Sequence, residues 1–67
     1  MLTGVVKFFK EDKGYGFFRR DDGEGDVFFH IRELRKAGLE GMSEDEKASF
    51  EVESTAKGTR AYNIVKL

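Results

Sequence analysis

Lys13-Gly14-Tyr15-Gly16-Phe17-Phe18-Arg19-Arg20, followed after six intervening residues by Val27-Phe28-Phe29-His30, decides how this chain folds. Both runs are short, rich in aromatic residues and bounded by glycine or acidic residues, which is the pattern of β-strands. A strand points successive side chains to opposite faces. Tyr15, Phe17 and Arg19 therefore share one face, while Phe18 and Arg20 fall on the other with Gly14 and Gly16. In the second run Val27 and Phe29 share a face, and Phe28 shares its face with His30. Phe18, Val27 and Phe29 are expected in the core. That leaves Tyr15, Phe17, Phe28 and His30 together outside, because Arg19 continues one outer row and His30 the other. An exposed group of three aromatic rings and an imidazole signals a binding surface. Lys7, Lys13 and Arg19 flank it and would meet phosphates. The glycines beside Tyr15 would weaken an ordinary strand, and are expected where the backbone curves strongly and approaches a neighbour closely.

Outward from these two strands, Asp21-Asp22-Gly23-Glu24-Gly25-Asp26 reads as a hairpin connection, with glycine supplying positions of positive φ. Lys10-Glu11-Asp12-Lys13-Gly14 reads as another turn. Apolar runs at Val5–Phe9, Tyr15–Phe18, Val27–Ile31, Ala48–Val52 and Ala61–Val65 make five short strands in all. Residues 32–47 are expected to form an extended loop, with a short helical piece over Arg32–Ala37. Five strands with glycine-containing turns in 67 residues indicate an all-β barrel or sandwich rather than βαβ units. The chain is read as one domain, residues 1–67.

Composition narrows the functional classes. The chain has no Cys, so neither disulfides nor a thiolate metal site can support it. No segment approaches the roughly 20 apolar residues that span a bilayer. Met1-Leu2-Thr3-Gly4 lacks the basic flank and apolar run of a signal peptide, and a cytoplasmic location is expected. One His, no metal-ligand spacing and no glycine-rich phosphate loop opening a helix leave no parts for catalysis. No enzyme activity, metal or cofactor is therefore expected.

The formal net charge of −1 hides a marked asymmetry. Residues 1–20 carry five basic residues against two acidic ones, and residues 55–67 carry three basic residues and no acid. Between them, residues 21–54 carry eleven acids against four bases. Positive charge gathered at both chain ends can form one basic face on a nearly neutral molecule.

Gly4-Val5-Val6-Lys7-Phe8-Phe9, Lys13-Gly14-Tyr15-Gly16-Phe17-Phe18 and Asp26-Val27-Phe28-Phe29-His30 resemble the bacterial cold shock proteins. The second and third stretches are similar to that family's two ribonucleoprotein motifs, KGFGFI and DVFVH. The resemblance continues through Ser49-Phe50 to Lys57-Gly58 and Ala61-Tyr62-Asn63. It implies a five-stranded antiparallel OB-type β-barrel. It also implies a monomer, or a domain-swapped dimer, that binds single-stranded RNA and DNA with little sequence selectivity. Such a protein acts as an RNA chaperone that keeps RNA unfolded and influences transcription or translation. Carried over by position, the implied contact residues are Lys7, Phe8, Lys13, Tyr15, Phe17, Phe28 and His30, with Phe9 and Asp26 as weaker transfers.

The chain also departs from the family pattern. Phe8 stands where Trp is usual, Lys10 where Asn is usual, and Ile31 and Leu39 where aromatic residues are usual. Thr59 replaces a usual Pro and Asp45 a usual Gly, departures that bear on loop geometry rather than on the fold. Less aromatic area with more nearby charge (Lys10, Arg19 and Arg20) implies a more electrostatic mode of binding, with steeper salt dependence. The rival reading from another class is a small barrel used for protein recognition, since such barrels host many functions. The acidic middle and the apolar Ile31 and Leu39 are its best support.

Overall fold

The two decisive runs pair with each other. In the computed structural model, which describes residues 1–67, β2 (Tyr15–Arg20) lies antiparallel to β3 (Asp26–His30). Tyr15 is opposite His30, Phe17 opposite Phe28, and Phe18 opposite Val27. Residues directly opposite in a ladder share a face, so the register assembles one inner and one outer row. Phe18, Val27 and Phe29 are buried, and Tyr15, Phe17, Phe28 and His30 are half-buried on the other side. The hairpin between the strands turns at Gly23 (φ 78°) and Gly25 (φ 106°), as expected. The Asp22 carboxylate holds that turn, accepting from Arg20 Nε at 3.0 Å and from the Glu24 amide at 2.9 Å.

Three further strands complete a closed barrel: β1 (Leu2–Lys10), β4 (Lys47–Thr55) and β5 (Gly58–Lys66). The order around the barrel is β1-β2-β3-β5-β4. Four of the pairings are antiparallel, and the seam between β3 and β5 runs parallel, with Phe28 opposite Arg60. β1, β4 and β5 all run past their apolar runs, because ladder hydrogen bonds need only backbone groups. Ile31 is the exception. Expected at the end of the third strand, it instead opens α1 (Ile31–Lys36), where the His30 Nδ1 accepts the Arg32 amide at 3.1 Å and caps the turn.

Packing explains the closure. Phe18 sits at the centre of the core, its ring stacked on Phe29 at 4.3 Å and on Phe50 at 4.6 Å. Val6, Val27, Ala48, Ala61 and Ile64 fill the barrel around it, and Leu34 from α1 and Met42 belong to the same buried cluster. A barrel this narrow brings backbones together. A Cβ placed on Gly16 would lie 2.5 Å from the Phe8 carbonyl oxygen and 2.7 Å from Phe29 Cζ. This is the close approach expected beside Tyr15, but it holds for Gly16 alone: Gly14 instead supplies a positive φ (73°) in the turn before β2.

The two loop departures are accommodated without a change of fold. Thr59 follows a tight β4–β5 connection in which Thr55 Oγ1 donates to the Gly58 carbonyl at 2.7 Å and accepts the Lys57 amide at 3.2 Å. Asp45 takes the left-handed conformation itself (φ 67°), while its amide donates to the Val6 carbonyl at 2.8 Å. A residue with a Cβ is strained there, Asp less than most. Asp45→Gly is therefore expected to raise unfolding stability by about 0.5–1 kcal/mol, net of the entropy that glycine adds to the unfolded chain. Urea denaturation measures the difference, and a destabilised variant would contradict the strain. No helix is long and apolar enough to cross a membrane.

Candidate nucleic-acid interface

The outer row of β2 and β3 is an unbroken surface of rings. Phe17 and Phe28 are 5.8 Å apart edge-to-face, and Tyr15 lies 5.8 Å from Phe28 and 6.4 Å from Phe17. Phe8 extends the row onto β1, 5.3 Å from Phe17. All four rings are half-buried: packed at their edges yet open to solvent. His30 stands opposite Tyr15, and its bond to the Arg32 amide fixes the orientation of the imidazole.

Phe8 reaches this surface through an irregularity in β1. Strict alternation from the buried Val6 would turn Phe8 inward and Phe9 outward. The pairing with β2 runs Val6 opposite Phe18 and then Phe8 opposite Phe17, which leaves Lys7 as an extra, bulged residue. A bulge shifts the parity of every residue beyond it. Lys7 and Phe8 both face outward as a result, and Phe9 turns in to stack on the core ring of Phe29 at 5.8 Å. Phe9 is thus separated from the ring surface. Ile31 packs beside Gly14 and Leu39 against the core, so neither joins the row.

Charge around the rings is divided between paired and free groups. Lys7 Nζ is bound to Asp26 at 2.8 Å, which also accounts for Asp26 at the edge of the site. Arg20, counted above among the nearby charges, is instead held by Asp22 on the hairpin. Lys10, Lys13, Arg19 and Lys57 make no ion pair. Lys10 Nζ sits 5.9 Å from the centre of the Phe8 ring, so the residue standing in place of Asn adds a cation to the smaller ring standing in place of Trp.

Reading the sequence alone missed the far side of the site. A groove of about 490 Å³ separates Phe17 and Phe28 from the β4–β5 hairpin, where Lys57, Thr59 and Arg60 form its other wall. The available signal was the Lys57-Gly58 pair, which marks a hairpin tip, but nothing local in the chain says that this tip folds over β3. The parallel seam brings it there.

Carboxylates away from the rings tie the barrel ends. Asp21 is held below its ordinary range chiefly by the Thr3 hydroxyl and then by Lys47, Asp22 by Arg20 and the Glu24 amide, and Glu46 by Lys66 and the Ser43 amide. A carboxyl lowered on folding contributes stability that is complete above its unfolded value and is lost as pH falls through the folded one. Unfolding temperature is expected to be level near neutral pH and to decline below about pH 4.5. Asp21 and Asp22 are exposed and Glu46 half-buried, so the effect is modest and screened by salt. Asp21→Asn combined with Glu46→Gln should give a shallower acid limb in thermal melts, whereas an unchanged limb would place the loss elsewhere.

Comparison with known proteins agrees with this architecture. The family model described as the 'Cold-shock' DNA-binding domain matches residues 2–67. The chain is 48% identical over 65 residues to the cold shock-like protein CspG of Shewanella violacea, covering 97% of this chain and 93% of that protein. It is 42% identical over 66 residues to the cold shock protein CspV of Vibrio cholerae, covering 98% and 94%. A cold shock-like protein of Aquifex aeolicus is 41% identical over 63 residues, covering 94% and 90%. A closed five-stranded barrel with an aromatic outer face, matched from end to end by this family, places the chain in the family of cold-shock DNA-binding domains.

Proposed function

We propose that the protein binds single-stranded RNA and DNA with low sequence selectivity, and serves in the cytoplasm as an RNA chaperone with effects on transcription or translation. The observation that carries this reading is the contiguous row of half-exposed rings formed by Phe8, Tyr15, Phe17 and Phe28. Unpaired bases leave water to stack on these rings and on His30, while Lys13 and Arg19 meet the phosphates. Stacking tolerates any base, because every base has a π-face. Bases within a duplex cannot reach the rings, so binding stabilises the open strand and draws RNA out of secondary structure without ATP.

Titration with short oligo-U, oligo-dT and a duplex of equal length tests this, followed by tyrosine fluorescence, since Tyr15 lies within the row. Quenching by both single strands and none by the duplex is expected. No change with oligo-dT at low salt would favour the protein-recognition reading instead. Five unpaired cations near the rings, Lys10, Lys13, Arg19, Arg32 and Lys57, also set a salt dependence. At about 0.7 per neutralised phosphate on a single strand, the slope of log affinity against log salt should be about −3.5. A slope equal to or shallower than that of a Trp-containing relative would refute the electrostatic shift.

A further inference from the structure

The ring surface described above ends at Phe28 on β3, but the sheet does not. Across the parallel seam stands Arg60 on β5, directly opposite Phe28. Its side chain lines two depressions flanking the Phe28 ring: the large groove shared with Phe17 and Lys57, and a smaller one of about 150 Å³ shared with His30 and Arg32. Arg60 also differs from the lysines and from Arg19 and Arg32 near the rings in how it is held; only Arg20, bound to Asp22 on the β2–β3 hairpin, is clamped by two bonds as well. Glu53, its antiparallel neighbour on β4, accepts from Arg60 Nε at 2.8 Å and Nη2 at 2.6 Å through the same carboxylate oxygen.

Those two bonds constrain the guanidinium plane. An exposed ion pair adds little to stability, and both partners here remain well exposed, at 39% for Arg60 and 45% for Glu53. What the pair does supply is orientation. A planar, delocalised guanidinium stacks on flat π-systems, and unpaired bases stack on such planes as they do on aromatic rings. A lysine at the same place would offer charge without a plane. Lys13, Arg19 and Lys57 have no partner to orient them, and Lys7 is bound to Asp26 by a single contact.

We propose that Arg60, clamped by Glu53, is a stacking residue that carries the aromatic surface across β5 and receives one further base of the bound single strand. This rests on the single-strand reading above and adds a base position to it. Glu53 is then a positioning residue, acting only through Arg60. The arrangement replaces, on another strand, stacking area that Ile31 and Leu39 do not provide.

Charge and stacking give opposite expectations, which makes the test decisive. Affinity for oligo-U and oligo-dT would be measured for Arg60→Lys, Glu53→Ala and Phe17→Ala, with circular dichroism melts confirming that each variant is folded. Arg60→Lys keeps the charge and is expected to bind about 5- to 20-fold more weakly, the loss of one stacked base, with an unchanged salt slope. Glu53→Ala removes a negative charge beside a polyanion site, so electrostatics alone predicts tighter binding. Positioning predicts binding several-fold weaker. Arg60→Lys binding within twofold of the unmodified protein, or Glu53→Ala binding as tightly or more tightly, would overturn the proposal. Phe17→Ala separates the two levels: if it weakens binding while Arg60→Lys does not, only the Arg60 assignment fails. If Phe17→Ala also leaves binding unchanged, the stacking reading fails with it.

Discussion

Phe17→Ala is expected to weaken binding of a short oligo-U or oligo-dT by about 1–3 kcal/mol, or 5- to 150-fold, while leaving the barrel folded. Phe17 is the middle of the row, in contact with Phe8, Tyr15 and Phe28. Its removal takes away one stacking face and opens a gap between the rings that remain. The effect on stability is expected to be limited to the two cross-strand ring pairs with Phe8 and Phe28. The side chain lies on the outer face of β2, and cross-strand aromatic pairs contribute roughly 0.2–1 kcal/mol each. Phe28→Ala should behave similarly, and should also free one wall of the groove beside Arg60. Fluorescence titration and thermal unfolding of the same samples decide the matter. Unfolding on either substitution would mean that the inner and outer rows have been exchanged, and undiminished affinity would mean that the rings are not the contact surface.

Gly16→Ala, one residue away, should do the reverse and abolish the fold. The added methyl would meet the Phe8 carbonyl oxygen at 2.5 Å and Phe29 Cζ at 2.7 Å. Neither can move aside easily. The first is backbone in the β1–β2 ladder, and the second belongs to a fully buried ring packed between Phe18 and Phe9. Overpacking a close-packed core costs about 1–3 kcal/mol or more, and a domain below about 70–80 residues rarely holds more than 3–5 kcal/mol in total. The variant is expected to be largely unfolded at 25 °C by circular dichroism. Gly23→Ala provides the contrast, since no atom lies within 4 Å of the new methyl. Its cost is confined to the positive φ of 78°, about 1–2 kcal/mol. Equal stability of the two alanine variants would contradict the steric account.

Much of the interface is legible along β2 and β3 because both strands are regular. Period-two alternation needs only a known parity, and the polar neighbours Arg19 and His30 supply it. The division into Phe18, Val27 and Phe29 inside, and Tyr15, Phe17, Phe28 and His30 outside, then follows from residue order and is what the barrel contains. The glycine turns at residues 23 and 25 are legible for an equally local reason, since a backbone at positive φ selects glycine. Helix α1 is legible in kind but not in its start. Whether Ile31 continues a strand or begins a helix turns on the His30 cap, which forms only once β3 has ended.

The amino-acid order alone therefore determined the strands, the turns and the two faces of the central hairpin, because each depends on neighbours one or two residues apart. Three features of the site were decided by tertiary structure. The Lys7 bulge reverses parity within β1, sending Phe8 outward and Phe9 inward, a choice that exists only when β1 is matched against the shorter run of β2. The Lys7–Asp26 pair, closed between β1 and β3, withdraws a cation that charge counting would have assigned to phosphates. The parallel seam between β3 and β5 sets Arg60 beside Phe28, residues 32 positions apart in the chain. That last contact exists only because the barrel closes, and closure is driven by burial of Phe18 and its neighbours, a property of the whole core rather than of any local stretch.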